Sequence, residues 1–581
     1  MALETTQGAT GDAQVDGLLS GYKWTGVISF SFPDSASDYP AYPNPAAVQY
    51  FSSVSALQRQ AAINAFNLVA SYTNAQFVNN GTDISDMRIG QTSDPGTGTA
   101  YAYYPIASVG GVGGDVWFGV QYDYRNALPG NYAYATMLHE IGHALGLKHP
   151  HEVGGPARIA LPGSRDALEF TLMSYRSFPG GPMTGYTNGP VDFPTTYMMN
   201  DIAALQAMYG ADFTTQSGDT VYAWSPTTGA MTLNGALQGA PAGNRIFMTV
   251  WDGGGRDTYD FSAYTTSLRV DLNPGASSSL SAAQTANLGY GRVAQGNVYN
   301  AYQYASDPRS LIENAIGGSG ADSLLGNSAD NLLEGRGGAD TLAGGAGADT
   351  LSGGDGDDLY LVDGAADLVT EAAGGGTDTI NVAIAVANGS YTLGAEVENG
   401  TLVSTVAFTL NGNAVANRLT GNAAANILNG GAGNDTLVGG GGIDTLAGGS
   451  GDDVYVVDTG ADRVTELAGE GTDLVQVAVN LSGGTWNLGD NLENAEIVST
   501  LAYNLTGNAL NNRLTGNAAI NRLDGGAGAD TLVGGGGNDI YTIDSLSDSV
   551  VEVAGGGTDL VQVAITTAGG PGPLRPRSRR R

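Results

Sequence analysis

The chain has 581 residues, and 57 acidic residues against 23 lysines and arginines give it a formal net charge of −34. A surface this acidic excludes nucleic acid as a partner and favours cations. The cysteine count of zero excludes disulfides, thiolate metal ligands and a cysteine nucleophile, and the 90 glycines show no three-residue period, which excludes collagen.

The first third of the sequence predicts an α+β domain at residues 20–212. Within it, Gly26–Phe32 alternates like a half-buried strand, and Ser55–Thr73 combines capping-box spacing with a helical apolar face. Residues 1–19 lack the basic and apolar regions of a Sec signal, and we assign them to a leader or short propeptide. No run of about 18 apolar residues occurs, so we expect no membrane span.

Short β-like runs separated by turns predict an all-β region at residues 213–316. From Gly317 the chain repeats every nine residues as Gly-Gly-x-Gly-x-Asp-x-Leu-x, in arrays at 317–362, 412–457 and 507–544. The glycines turn the chain, the sixth residue supplies a carboxylate and the eighth packs inward. Stacked units therefore predict a parallel β-roll with several Ca²⁺ ions between its turns. The alternative is a flexible glycine-rich linker. A linker needs no fixed repeat length, so the regular nine-residue period favours the β-roll.

The predicted calcium ligands in the arrays are two glycines of the first nonapeptide and the acidic residues at the sixth positions of the nonapeptides. They are Gly318, Gly320, Asp322, Asp340, Asp349, Asp358, Asp435, Asp444, Asp453, Asp530 and Asp539.

Each array is followed by a spacer segment, at 363–411, 458–506 and 545–581. The spacers belong to a longer repeat, since Tyr360, Glu371 and Asp378 recur as Tyr455, Glu466 and Asp473 and again as Tyr541, Glu552 and Asp559. The last spacer breaks into an arginine-rich tail at Pro571–Arg581. We interpret the tail as a truncation or a change of reading frame, with a genuine basic arm as the alternative.

All four histidines of the chain lie between positions 139 and 151. On a helix, His139 and His143 lie on one face, one turn apart. Gly146 can adopt positive φ, end the helix and return His149 to the same point. Three imidazoles then bind one zinc ion with a coordination position left for water, and Glu140 is placed as the general base. His151 has no place in this motif, and we interpret it as a solvated loop residue.

The string His139-Glu-Ile-Gly-His-Ala-Leu-Gly-Leu-Lys-His149 resembles that of the metzincin zinc proteases, and His149-Pro150 resembles the serralysin branch. Thr171–Tyr175 is similar to the family's Met-turn. The resemblance implies that Met173 forms a hydrophobic floor beneath the zinc and that Tyr175 is a movable zinc ligand and oxyanion donor. It also implies that Thr99–Pro105 is the edge strand to which a substrate backbone adds.

The same resemblance extends beyond the histidines. It implies further calcium ligands before the arrays, at Asp252, Gly254, Gly255, Asp257 and Glu313, where the alternative is an ordinary turn between strands. The nonapeptides resemble RTX repeats, in which each ion lies between sixth positions two units apart. His151–Pro156 departs from the family's loop at this point and leaves the side-chain preference of the cleft open.

We therefore predict a metzincin-like α+β domain followed by an all-β region with RTX β-rolls, in a secreted zinc endopeptidase of broad specificity. Its partners would be protein and peptide substrates and a type I secretion apparatus, and we expect a monomer. The alternative is a calcium-dependent RTX adhesin at the cell surface, with a subsidiary or inactive protease domain.

Overall fold

The computed structural model describes residues 2–106 and 111–565, so the basic tail lies outside the described residues. The chain divides into two compact units after Arg336. Over the described ranges, we find no helix with the length and apolar character needed to cross a membrane.

The helices belong to the first unit and surround a small sheet. The α-helices are Ala13–Asp16, Pro45–Gln49, Ala56–Tyr72, Tyr132–Leu145 and Met199–Tyr209, and short 3₁₀ turns occur at Ala36–Asp38, Tyr304–Ser306 and Pro308–Ser310. The predicted capping box is present, because the Ser55 hydroxyl accepts from the Gln58 N–H and Gln58 Oε1 accepts from the Ser55 N–H. Each interaction satisfies a helix N–H that lacks an intrahelical partner.

The sheet of the predicted protease domain has strands in the order Phe77–Asn79, Ile28–Ser31, Met87–Thr92, Val116–Phe118 and Ala100–Ala102, with Phe51–Ser52 beside Met87–Thr92. Ala100–Ala102 pairs antiparallel with Val116–Phe118 and ends the sheet, as predicted for the edge strand. Phe30 of the sheet stacks on Phe66 of the long helix with ring centroids 4.1 Å apart. The main apolar core thus joins the sheet to the long helices, and a smaller aromatic cluster around Trp117 packs the helix Pro45–Gln49.

The N-terminal residues pack onto this domain. Leu3–Thr6 pairs antiparallel with Tyr22–Thr25. The backbone of Leu18 accepts from the N–H of Lys148, and Ser20 donates to the oxygen of Gly146. The segment assigned to a leader, and Ser20 directly after it, therefore contact the turn between the end of the helix at Leu145 and His149.

The rest of the first unit is all-β, as predicted. Its strands are Val221–Trp224, Met231–Leu233, Ala236–Leu237, Met248–Val250, Thr258–Asp260, Arg269–Asp271, Ser277–Ser278, Asn287–Gly289, Arg292–Val293, Val298–Asn300, Asn314–Ile316, Ser323–Leu325 and Leu332–Gly337. Parallel pairing places Tyr222 beside Tyr259 and Tyr259 beside Ala315.

The second unit is a parallel β-solenoid. Its strands are Thr341–Ala343, Thr350–Asp355, Leu359–Val362, Leu368–Val369, Thr379–Val382, Gly389–Thr392, Asn399–Leu402, Phe408–Asn411, Arg418–Thr420, Ile427–Ala432, Thr436–Val438, Thr445–Ser450, Val454–Val457, Arg463–Val464, Leu474–Val477, Thr485–Asn487, Asn494–Ile497, Asn504–Thr506, Arg513–Thr515, Arg522–Asp524, Thr531–Val533, Ile540–Ile543, Ser549–Val551 and Leu560–Val563.

Eighth-position residues such as Leu342, Leu437 and Tyr455 are fully buried between the solenoid's sheets. One parallel sheet continues from the second nonapeptide array through Leu474–Val477 and Asn494–Ile497 into the third. The spacer segments are therefore turns of the same solenoid, although they lack the nonapeptide pattern. The predicted fold class, an α+β domain followed by β-roll turns, is confirmed.

Candidate metal centres

The helix Tyr132–Leu145 positions the first two histidines. Asn131 caps it, because its side chain accepts from the N–H of Tyr134. The helix is buried along nearly its whole length, and His139 and His143 project from one face. It ends at Gly146, whose φ of 115° lies in the left-handed region. A Cβ there would lie 2.2 Å from the backbone oxygen of Tyr22, so only glycine fits this turn.

The turn after Gly146 brings His149 to the other two histidines. Nε2 of His149 lies 2.9 Å from Nε2 of His143 and 3.3 Å from Nε2 of His139. Each Nδ1 faces a hydrogen-bond acceptor: the oxygen of Leu172 at 2.9 Å, the oxygen of Leu147 at 2.7 Å and Oε1 of Glu152 at 2.9 Å. An Nδ1–H that donates to such an acceptor leaves the Nε2 lone pair available to a metal.

The three imidazoles are held in the neutral form that a metal requires. Burial lowers the pKa of His139 to about 4 and that of His143 well below its ordinary value. Burial and the neighbouring His139 lower the pKa of His149 to about 2. Three neutral ring nitrogens facing one point are a donor set that fits zinc.

Glu140 lies beside these rings and is itself buried. Within the described residues its Oε2 has no hydrogen-bond partner, and burial raises its pKa to about 8. His139, Glu140 and Tyr175 line one cleft together with Ala100 of the edge strand. The raised pKa makes the deprotonated Glu140 a stronger base than an ordinary glutamate, and Oε2 faces the cleft without a partner among the described residues, so it can accept a proton from a molecule bound there.

The segment Thr171–Tyr175 lies under and beside the histidines. Met173 is fully buried, and its sulfur lies 2.8 Å from where a Cβ on Gly142 would be, so the glycine allows the methionine to pack closely against the helix. The Tyr175 ring lies 4.4 Å from that of His149, centroid to centroid. Burial, with Glu140 and Glu152 nearby, raises the Tyr175 pKa to about 12, so its hydroxyl remains protonated at neutral pH.

Two neighbours of His149 were not predicted from the sequence. The Glu152 carboxylate orients the His149 ring, and Lys148 contacts the backbone of the same loop. The contact between Glu152 and His149 could have been suspected only from their separation of three residues in the sequence. His151 is half-buried, and its ring lies 5.4 Å from that of His149. It is therefore less solvated than we predicted.

The residues predicted to bind calcium before the arrays are close together. The Asp257 N–H donates to Oε2 of Glu313 at 2.8 Å, and the Gly254 N–H donates to Oδ1 of Asp252 at 2.8 Å. Gly255 has a φ of 135° in the same turn. Burial and the adjacent Asp252 raise the pKa of Asp257 to about 8, because the carboxylates repel one another.

The array residues pair at the predicted interval. In the first nonapeptide, the Gly318 N–H donates to Oδ2 of Asp322 at 2.7 Å. A Cβ on Gly320 would lie 2.7 Å from the backbone nitrogen of Ser267. In the solenoid, the sixth-position N–H donates to the side chain 18 residues later, except at the last sixth position of each array, where the interval is 20 residues. The pairs are Asp340 with Asp358, Asp349 with Asp367, Asn417 with Asp435, Asn426 with Asp444, Asp435 with Asp453, Asn512 with Asp530 and Asn521 with Asp539.

Comparison with known proteins agrees with this architecture. Residues 211–383 match the family model for the peptidase M10 serralysin C-terminal region. Residues 411–446, 430–464 and 506–541 match the model for the RTX calcium-binding nonapeptide repeat.

Curated relatives carry metalloprotease names. Metalloprotease AprA of Pseudomonas entomophila (strain L48) is 31% identical over 283 residues, which are 48% of this chain and 54% of the relative. Serralysin C of Dickeya chrysanthemi is 35% identical over 234 residues, which are 39% of this chain and 43% of the relative. Metallopeptidase AprA of Pseudomonas marginalis is 31% identical over 316 residues, which are 52% of this chain and 60% of the relative.

The chain thus spans about half the length of the curated relatives it matches. Fold and matches together define a metalloprotease-like chain with RTX calcium-binding repeats. The predicted relationship to the serralysins is confirmed.

Proposed function

We propose that this chain is a secreted zinc-dependent endopeptidase of broad specificity, stabilised by calcium in its RTX repeats. The observation that carries the proposal is the convergence of three neutral histidine Nε2 atoms beside the unpartnered carboxylate of Glu140. In this proposal residues 20–212 form the protease domain, 213–316 the serralysin-like β region and the remainder the calcium-binding solenoid.

His139, His143 and His149 would hold one zinc ion, with Tyr175 as a further, movable ligand. Bound zinc would supply Lewis acidity toward a water molecule and a peptide carbonyl. Glu140 Oε2 accepts the proton of the attacking water and passes it to the leaving amine. The Tyr175 hydroxyl donates a hydrogen bond to the oxyanion, which is stronger in the transition state than in the bound substrate.

Substrate binding would use the edge strand Ala100–Ala102. Its outer side lacks a paired strand among the described residues, so an extended peptide can add there through backbone hydrogen bonds. Recognition through the backbone depends little on side chains, which supports broad specificity. Extracellular location, export by a type I apparatus and a monomeric state belong to the same proposal, and RTX repeats with serralysin relatives support secretion.

The zinc role is tested by Glu140→Ala, with Glu4→Ala, an exposed residue outside the cleft, as the control. We expect Glu140→Ala to retain about one zinc per chain and to lose digestion of casein, since a general base is removed and a ligand is not. Metal analysis and a casein gel with and without a chelator measure both. Near-normal activity, or loss of zinc, would contradict the role of Glu140.

An RTX adhesin is the second candidate function, and the solenoid that continues through the first and second spacers favours it. A parent chain that binds zinc and digests neither casein nor other unfolded proteins would support the adhesin and contradict the endopeptidase.

A further inference from the structure

Acidic residues cluster where a nonapeptide array meets its spacer. Asp453 is the last sixth-position residue of the second array, and Glu466 and Asp473 follow in the spacer. One carboxylate oxygen from each lies within 4.8 Å of the other two. The same arrangement occurs one module earlier, in Asp358, Glu371 and Asp378.

The Glu466 side chain is buried at this cluster without a partner. The residue is 9% exposed, and within the described residues neither of its carboxylate oxygens has a hydrogen-bond partner. Asp453 is 1% exposed, and its Oδ2 likewise has no hydrogen-bond partner among the described residues. Buried carboxylates that face one another lose hydration and repel, so this arrangement is costly unless a cation lies between them.

The backbone explains how the two aspartates are aimed. Oδ1 of Asp453 accepts from the Asp435 N–H at 2.7 Å, and Oδ1 of Asp473 accepts from the Asp453 N–H at 2.8 Å. These contacts hold each carboxylate by one oxygen. The hydrogen bond between Asp435 and Asp453 joins residues 18 apart, whereas the one between Asp453 and Asp473 joins residues 20 apart. Glu466 lies within this longer turn. The cluster therefore joins array to spacer and differs from a pair of nonapeptide turns.

The third module provides an internal contrast. There the hydroxyl of Tyr541 donates to Oε1 of Glu552. The equivalent Tyr455 hydroxyl instead accepts from the N–H of Gly448 at 2.8 Å, and Glu466 has no such donor. The glutamate thus has a hydrogen-bond donor in the third module and, among the described residues, none in the second.

We propose that Asp453, Glu466 and Asp473 bind one calcium ion, and that Asp358, Glu371 and Asp378 bind a second. The donors are all carboxylate oxygens, which favours a hard cation over zinc, and Ca²⁺ accepts irregular oxygen cages more readily than Mg²⁺. Each ion fastens the last turn of an array to the first turn of its spacer. The proposal is independent of proteolysis.

The test uses the full chain, with the double variant Glu371→Gln and Glu466→Gln. Glu396→Gln is the matched control, because Glu396 lies in the first spacer and outside the acidic clusters found among the described residues. Equilibrium dialysis against radiolabelled calcium counts the bound ions. We expect the double variant to bind two fewer ions per chain than the parent at sub-millimolar calcium, and the control to bind as many as the parent. Equal binding by all three would overturn the proposal.

A second measurement needs no variant. Crystals of the parent chain with terbium in place of calcium should show anomalous peaks about 2.3–2.6 Å from the carboxylate oxygens of both clusters. Peaks at nonapeptide turns alone would overturn the proposal while leaving calcium binding by the repeats intact.

Discussion

The ammonium of Lys148 lies 2.8 Å from the backbone oxygen of Glu152, whose carboxylate in turn lies 2.9 Å from Nδ1 of His149. Lys148 is 2% exposed and also donates to the backbone oxygens of Gly17 and Ile159. One buried cation therefore joins the N-terminal segment to the loop that orients the third histidine. Because an ammonium has three donors, all of them are used.

We expect Lys148→Met to lower zinc affinity by about 10–100-fold, as is typical when a group that orients a metal ligand is lost. Three buried carbonyls also lose their donor, so the free energy of unfolding should fall by about 2–4 kcal/mol. Lys23→Met is the matched control, since Lys23 donates to the Met208 carbonyl at 2.7 Å and its side chain forms no hydrogen bond with residues 147–152 in the described part of the chain. Competition with a zinc-sensitive dye measures the affinity. Equal zinc affinity in the two variants would contradict the positioning role.

Tyr175→Phe should retain zinc and lower kcat by about 10²-fold, with a smaller rise in KM, because the lost contact is made mainly in the transition state. Steady-state kinetics on a fluorogenic peptide measure both constants. A change in KM alone would identify Tyr175 as a substrate-binding residue.

Calcium should order the arrays unevenly. The second array contains the pair Asp435 and Asp453, with two carboxylates, whereas both pairs of the third begin with an amide, Asn512 and Asn521. Because calcium affinity follows ligand charge, and extracellular modules bind at about 10⁻⁴–10⁻³ M, we expect the first and second arrays to order at lower calcium than the third. Hydrogen exchange of the full chain, followed by peptide, measures the midpoints. A common midpoint would refute the charge ranking.

Without calcium, acid should partly substitute for the ion. Burial and neighbouring carboxylates raise the pKa of Asp444 and Asp453 to about 7 and that of Glu466 to about 8, above the ordinary values of 3.8 and 4.5. A raised pKa in the folded state means that the stabilisation is fully present below about pH 4. It is lost as the pH rises through about 7–8.

We therefore expect the calcium-free chain to gain β-type circular dichroism as the pH falls from about 8 to about 5. The calcium-saturated chain at about pH 8 is the control and should already show that spectrum. Calcium-free spectra that do not change with pH would contradict the linkage.

Patterns local in sequence determined much of this protein. The spacing of His139, Glu140 and His143 on one helix, and the glycine that ends it, predict the zinc ligands, because helical geometry relates residues one turn apart. The nine-residue period likewise predicts the β-roll and the pairing of Asp435 with Asp453, because each turn repeats the same backbone path.

Tertiary structure alone decided the contacts between distant or aperiodic segments. Lys148 meets the Gly17 carbonyl 131 residues away, and no periodicity relates the two. The spacers lost the glycine pattern yet kept the solenoid's hydrogen bonds, so their path follows from the sheet they extend. Glu466 reaches Asp453 only because that sheet closes a 20-residue turn, and burial by neighbouring strands, which sequence spacing does not encode, leaves its carboxylate to a cation.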